Sequence, residues 1–132
     1  MNGAAVVVKF TPPRGTPFGE RWHDLLQLEH LANTVLRAHG VPTAQTVLVS
    51  TRKRSYLQSI RFDRIGASGK RHVVAAAPVH ETFVKGPRRH WIATAEALAA
   101  QKLLAPEHLR SIACIYLFGQ FIRNTDMHFG NL

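Results

Sequence analysis

The stretch that most restricts how this chain can fold runs from residue 20 to residue 39. Trp22, Leu25, Leu26, Leu28, Leu31, Ala32, Val35 and Leu36 recur at intervals of three and four, the spacing that gathers apolar side chains on one side of an α-helix. Gly40 is placed to end that helix in a left-handed turn, and Pro42 cannot continue it. A one-sided helix needs a surface to cover. Residues 6–10, three valines, a lysine and a phenylalanine, are β-branched and then aromatic, which predicts a strand. Thr11-Pro12-Pro13-Arg14-Gly15-Thr16-Pro17 breaks it before the helix. After the helix, residues 46–50 and 56–62 read as two further strands, with Thr51-Arg52-Lys53-Arg54-Ser55 as the turn of a hairpin.

The second half changes character. Gly66-Ala67-Ser68-Gly69 predicts a turn leading into a short strand over residues 72–75. Pro78 and Gly86-Pro87 punctuate a weakly patterned stretch to which the sequence assigns no element. Residues 91–104 are helical by their alanine and leucine content. Pro106 fits the first turn of a last helix, with Glu107 near the positive end of its dipole. From residue 112 to 122 that helix is apolar nearly all round and is expected to be buried. The order is α+β: a small antiparallel sheet with one packed helix over residues 1–64, then a mainly helical part over residues 65–132, with the boundary near residues 63–69.

Apolar residues make up 45% of the 132 and charged residues 19%, a balance that excludes an intrinsically disordered chain. No apolar run reaches the roughly 18–20 residues that span a bilayer, and the first residues lack the basic start and long apolar centre of a secretory leader. Cys114 is the only cysteine, which excludes an intrachain disulfide framework and a cysteine-based zinc site and points to a reducing cytoplasm. Lys and Arg number 17 against 8 Asp and Glu, a formal charge of +9, which favours anionic partners. The clusters Arg52-Lys53-Arg54, Lys70-Arg71-His72 and Arg88-Arg89-His90 lie in turn-like contexts and read first as solvated loops. A dedicated nucleic-acid surface would call for aromatic interleaving that the sequence does not display.

Three places carry candidate chemistry. Asp126 and Asn131 stand five positions apart, directly after the apolar helix. Phosphoryl transfer uses such a pair: the carboxylate orients the accepting hydroxyl and the amide oxygen holds a magnesium ion on the nucleotide phosphates, with His128 in reach of a phosphate. An Asx turn ending the helix is the plain alternative. Lys9 shares one face of its strand with Val7, while Val6, Val8 and Phe10 share the other. Glu29 lies within the helix stripe, where a carboxylate is costly unless paired, and a strand Lys paired with a helix Glu is how kinases hold a lysine against phosphates. Ser59-Ile60-Arg61-Phe62-Asp63-Arg64 ends a strand at the expected boundary, where backbone groups can meet an adenine edge or where an Arg–Asp turn simply stops the strand. His30, His39 and His108 fit no metal-ligand spacing and read as surface residues.

Together these segments resemble the HipA-like kinases, the toxin component of bacterial type II toxin–antitoxin systems, including the shorter HipT-like toxins and HipA-type regulators. The similar segments are Val7-Val8-Lys9-Phe10-Thr11-Pro12-Pro13, Leu28-Glu29-His30-Leu31-Ala32, Arg61-Phe62-Asp63-Arg64 and Asn124-Thr125-Asp126-Met127-His128-Phe129-Gly130-Asn131-Leu132, in the family's order along the chain. The resemblance implies a protein-kinase-like fold and ATP- and Mg²⁺-dependent phosphorylation of a protein serine or threonine, aminoacyl-tRNA synthetases being among the family's targets. It implies that Lys9 binds the ATP phosphates with Glu29 supporting it, that Ile60, Arg61 and Phe62 line the adenine pocket, that Asp126 is the catalytic acceptor, and that His128 and Asn131 contact phosphate and metal. It also implies an antitoxin partner, through which DNA is engaged indirectly, and no membrane. Asn124 stands where eukaryotic-type kinases carry a histidine. The family's phosphate-covering loop lies upstream of its ATP lysine, and a second metal-binding Asp lies downstream of its Asn. Without them the expectation is a kinase-family chain of weak or no activity, since losing one electrostatic stabiliser costs ~10²–10³ in rate. The alternative is a non-catalytic module that binds an antitoxin, DNA or a complementary kinase piece.

Overall fold

The computed structural model describes residues 4–66 and 68–132, and the chain divides into two compact units, Met1–His72 and Val73–Leu132. In the first unit, β1 (Val6–Phe10) is followed by α1 (Pro17–Ala38), then by β2 (Thr46–Ser50) and β3 (Ser55–Ile60). Thr16 caps α1, its hydroxyl accepting from the Gly19 amide at 3.0 Å, and Pro17 occupies the first turn, where no amide hydrogen is needed. At the other end Gly40, at φ 74°, takes the left-handed position, and the Gly40 and Val41 amides return to the Arg37 and Leu36 carbonyls at 3.0 Å each. The three strands form an antiparallel sheet in the order β1-β3-β2, with Lys9 and Leu48 both opposite Leu57 on the central strand.

That register sorts the side chains by face. Lys9, Leu48, Ser55 and Leu57 fall on one face with Thr46. This is the face on α1: Nδ1 of His23 meets the Ser55 hydroxyl at 2.5 Å and Nδ1 of His30 meets the Thr46 hydroxyl at 2.8 Å. Leu26 of α1 and Leu57 are buried there, with His23, Ser55 and Thr11. Gln27 and Arg14 also reach the His23 ring. His30, expected at the surface, is therefore half-buried and hydrogen-bonded. The opposite face, with Val8, Phe10, Val47 and Val49, is open, Phe10 being 62% exposed. The α1 stripe is split in the same way. Leu26 meets the sheet, while Trp22, Leu25, Leu28 and Leu31 are exposed, because the helix approaches the sheet through His23, Leu26 and His30, where side-chain hydroxyls pair with imidazoles.

Beyond β3 the chain makes a two-stranded ribbon, β4 (Arg64–Ile65) with β5 (Gly69–Lys70). Of the expected turn at residues 66–69, Gly66 and Ser68 lie between them, Gly69 begins β5, and Ala67 is outside the described residues. The strand expected over residues 72–75 is not formed. Those residues have no ladder partner, and the pairing is made earlier, at Arg64 with Lys70.

In the second unit, α2 (Ala76–Val79) runs directly into a single π-helical turn, His80–Val84, in the stretch the sequence left unassigned. Lys85 leaves that turn at φ 60°. The Ala76 and Ala77 amides at the start of α2 donate to the Leu132 and Phe129 carbonyls at 2.8 and 3.2 Å, which ties the final segment to this helix. His80 is buried, bonded to the Thr94 hydroxyl at 2.7 Å and the Gly86 carbonyl at 3.2 Å, with Phe129 edge-on at 5.7 Å.

α3 (Trp91–Ala100) and α4 (Pro106–Phe121) pack together, with Trp91 and Tyr116 rings 5.9 Å apart. α3 ends four residues before its expected limit because Lys102 enters the left-handed region at φ 59°. The expected burial of residues 112–122 is not observed. Of α4 only Gly119 is buried, and Leu117, Phe121 and Ile122 are exposed, Phe121 at 86%. An apolar helix is buried only on the sides that have neighbours, and α3 covers one. No helix among the described residues is long and apolar enough to cross a membrane.

Candidate functional site

Lys9 and Glu29 meet as the sequence pattern anticipates. The β1 register turns Lys9 to the face on α1, and Nζ lies 2.7 and 2.9 Å from the two Glu29 carboxylate oxygens. Asn33, one turn on, donates to the Glu29 carbonyl at 2.9 Å. The side chains are 56% and 38% exposed, so the pair is wet and accessible to an anionic ligand. Such a pair adds little to folding, about 0–1 kcal/mol.

The boundary segment is held by its backbone. The Ile60 amide donates to the Gln45 carbonyl at 3.0 Å and the Arg61 amide to the Ala5 carbonyl at 2.9 Å, so these two donors are committed within the sheet edge. The Arg61 guanidinium donates to Asp63 at 2.8 Å, and Arg64 lies 3.5 Å from the same carboxylate. The hydrogen bond from Arg61 is the main reason the Asp63 carboxyl is held down at about 2. Phe62 is largely exposed.

In the second unit α4 delivers the terminal segment through Arg123, at φ 54°, with the Asn124 amide returning to the Gly119 carbonyl at 2.8 Å. An Asx turn is present, the Asp126 amide donating to Asn124 Oδ1 at 3.0 Å. It does not exclude a chemical role, because it leaves the Asp126 carboxylate exposed. Asn131 Nδ2 donates to the Asp126 carbonyl at 2.9 Å. The amide nitrogen thus fixes the loop, and Oδ1 is the hard oxygen left to a cation. The Gly130 amide donates to His128 Nδ1 at 3.1 Å, and His128 Nε2 lies 3.3 Å from Asp126 Oδ1.

No group of three or more His, Cys, Asp or Glu able to hold a metal occurs among the described residues. The Asn131 amide oxygen fits a magnesium ion whose remaining ligands are nucleotide phosphates and water, the usual way this ion is held. It does not make a self-contained metal cage.

A cleft of about 400 Å³ adjoins this segment, lined by Arg88 to Trp91, by Tyr116 and by residues 127–130. Sequence reasoning set Arg88-Arg89-His90 aside as a solvated turn. The signal that finds the cleft is Trp91, the aromatic residue directly following the basic cluster. His23 and His80, the two buried histidines, were also missed, since neither stands at a recognisable ligand spacing.

Comparison with known proteins bears out the resemblance. The HipA-like C-terminal domain family matches residues 1–132, and the chain belongs to that family. Over 128 residues, 96% of the chain, it is 36% identical to Toxin YjjJ of Escherichia coli (strain K12), and it spans 29% of that protein's length. No solved structure matches the chain.

Proposed function

We propose that this chain is a HipA-like toxin domain of protein-kinase-like fold that transfers phosphate from ATP–Mg²⁺ to a serine or threonine of a protein in the cytoplasm. Lys9, held by Glu29, binds nucleotide phosphates. Ile60, Arg61 and Phe62 line the adenine. Asn131 Oδ1 supplies a ligand to the magnesium ion, and His128 contacts phosphate. Asp126 orients the acceptor hydroxyl and takes its proton as the oxygen attacks the γ-phosphorus and the bond from that phosphorus to the β–γ bridging oxygen breaks, ADP leaving with the electron pair.

The observation that carries this reading is the Lys9–Glu29 pair. A strand lysine and a helix carboxylate meet on the α1-covered side of a small sheet with both side chains still exposed to solvent, where the pair stabilises the fold little and charges a site for phosphate. The name of Toxin YjjJ supports the toxin part of the proposal. Calorimetric titration with ATP–Mg²⁺, repeated on Lys9→Ala, tests it. Saturable binding lost in the variant is expected, and absence of binding at millimolar ATP sinks the enzymatic reading.

A second reading rests on the apolar surface left open in each unit, Val8, Phe10, Val47 and Val49 on the sheet of the first and, separately, Leu117 and Phe121 on α4 of the second. Such patches mark protein contacts, as expected of a regulatory module that engages an antitoxin and reaches DNA only through it. Nucleotide-independent association with the antitoxin, unchanged in Lys9→Ala, would favour this reading.

A further inference from the structure

The cleft of the second unit has a one-sided chemistry. No Asp or Glu is among its lining residues, and it presents two arginines, two histidines and a buried tryptophan. Arg88 is engaged with Glu81 at 2.8 Å, whereas no carboxylate among the described residues lies within ion-pair distance of Arg89. His90 Nδ1 accepts the Ala93 amide at 3.2 Å, and His128 Nδ1 accepts that of Gly130. With Nδ1 taken as acceptor, the neutral form of each ring carries its proton on Nε2, so both are donors there. Trp91 is 5% exposed and its indole N–H has no acceptor among the described residues, a cost that a ligand oxygen or a water would relieve. With His128 Nε2 facing Asp126 at 3.3 Å, His90 Nε2, the Trp91 indole N–H and the unpaired Arg89 guanidinium are the donors left to define a site for an anionic acceptor group.

The cleft's size and charge decide which anion. One uncommitted guanidinium balances one carboxylate. A phosphate dianion calls for a second cation, and Arg88 is already held by Glu81. A nucleic-acid strand needs a row of cations along its backbone, which a cleft of about 400 Å³ does not supply. His90 and Trp91, 5.6 and 5.9 Å from the Tyr116 ring, give a stiff aromatic wall against which a short peptide stem can pack. His128 belongs to the cleft and also lies 3.3 Å from Asp126, so a peptide held here presents its next residue to that carboxylate.

We propose that this cleft is the docking subsite for the acceptor polypeptide and selects a Glu or Asp side chain beside the hydroxyl presented to Asp126. The proposal rests on the kinase reading, and its test needs no nucleotide. A fluorescent Glu-Ser-Glu peptide is titrated by anisotropy against the full chain, alongside Gln-Ser-Gln and Lys-Ser-Lys peptides and a uridine oligonucleotide. The acidic peptide is expected to bind at least about tenfold tighter than the neutral one, a difference of roughly 1.4 kcal/mol. Arg89→Glu should abolish that preference, and Lys9→Ala should leave it intact. Because Arg89 is exposed in the irregular segment before α3, the charge reversal should keep the fold, checked by circular dichroism. His90→Asn, which keeps a capping side chain, should weaken acidic-peptide binding severalfold.

Equal binding of the neutral peptide, no effect of Arg89→Glu, or an oligonucleotide that displaces the acidic peptide with a steep salt dependence overturns the proposal. ATP binding without acidic-peptide binding removes the cleft and leaves the kinase reading. Acidic-peptide binding without ATP binding keeps an anion cleft but overturns its role as acceptor subsite.

Discussion

Lys9 and Glu29, twenty residues apart, close a two-pronged ion pair between the sheet and its helix, with Nζ within 2.9 Å of both carboxylate oxygens. Both side chains are well exposed, so solvent screens the pair and its removal should cost the fold less than ~1 kcal/mol. A charge-assisted contact from Lys9 to phosphate contributes about 1.5–3 kcal/mol, roughly ten- to hundredfold in affinity. Lys9→Ala should therefore change the melting temperature little while weakening ATP–Mg²⁺ binding by that factor. Comparable losses in both measurements would make Lys9 a structural residue only.

The proposed metal role of Asn131 can be separated from its structural one by substitution. Nδ2 holds the Asp126 carbonyl at 2.9 Å, and Oδ1 is the atom proposed to meet the metal. Asn131→Asp keeps a metal-binding oxygen and loses the donor, whereas Asn131→Ala loses both. Magnesium should still strengthen nucleotide binding in the Asp variant and should not in the Ala variant. Equal magnesium dependence in the two, followed by calorimetry at varied Mg²⁺, would remove Asn131 as a ligand.

Legibility in the sequence followed locality. β1 and β2 fall at the residues their β-branched patterns indicate, and the alternation along β1 places Lys9 on the face shared with Val7 as the strand period requires. The end of α1 follows from Gly40, as expected, whereas its start lies at Pro17, three residues before the apolar spacing begins, because Thr16 caps it. What was not legible depends on partners far along the chain. The π-helical turn at His80 is fixed by Thr94 and Gly86, and no local pattern encodes those bonds. The side of α1 that meets the sheet is chosen by hydroxyl–imidazole pairs rather than by its larger apolar stripe. Of the candidate residues, Lys9 with Glu29 and Asp126 with Asn131 meet through contacts that spacing could suggest. The cleft needs Tyr116 from α4 beside Trp91 of α3, which only the packed helices provide.

Gly119 lets α4 approach the terminal segment. A Cβ added there would lie 2.1 Å from Met127 Sδ and 2.6 Å from its Cε, so the thioether must swing away. Overpacking costs ~1–3 kcal/mol, and replacing a helical glycine by alanine returns ~1 kcal/mol. Gly119→Ala alone should be neutral to destabilising by ~2 kcal/mol. In a Met127→Ala background the same change should stabilise by ~1 kcal/mol. A double-mutant cycle from urea unfolding measures the coupling, and additivity would show that the two residues do not touch.

Asp63 should give acid sensitivity to the first unit. Arg61 donates to its carboxylate and, with the nearby charge of Arg64, holds its pKa down at about 2 from 3.8. A depressed carboxyl means that the unfolded chain takes up the proton first as pH falls, so its stabilisation is complete above about pH 4 and disappears on the way to about pH 2. The unfolding midpoint of the native chain should exceed that of Asp63→Asn at neutral pH, and the gap should close over this window. A gap that persists at pH 2 would assign the effect to packing rather than to charge.

Three helices end in the same hydrogen-bond pattern with different residues in the left-handed position. α1 uses Gly40, whereas α3 uses Lys102 at φ 59° and α4 uses Arg123 at φ 54°. At α3 the Leu103 and Lys102 amides return to the Leu98 and Ala99 carbonyls, and at α4 the Asn124 and Arg123 amides return to Gly119 and Gln120, all between 2.8 and 3.1 Å. A side chain with a Cβ loses roughly 1 kcal/mol or more in this conformation, and glycine avoids that cost at some expense in unfolded-state entropy. Lys102→Gly and Arg123→Gly should each raise stability by about 0.5–1 kcal/mol, a few degrees in Tm for a chain of this size. Gly40→Ala should move it the other way by at least as much. The Arg123 substitution carries further information because it precedes Asp126 by one turn of the terminal segment. If Tm rises while ATP–Mg²⁺ binding is unchanged, the left-handed arginine is a tolerated strain. If binding falls as Tm rises, the guanidinium itself contributes to the site. A lower Tm in both glycine variants would show that Lys102 and Arg123 do not adopt the left-handed turn.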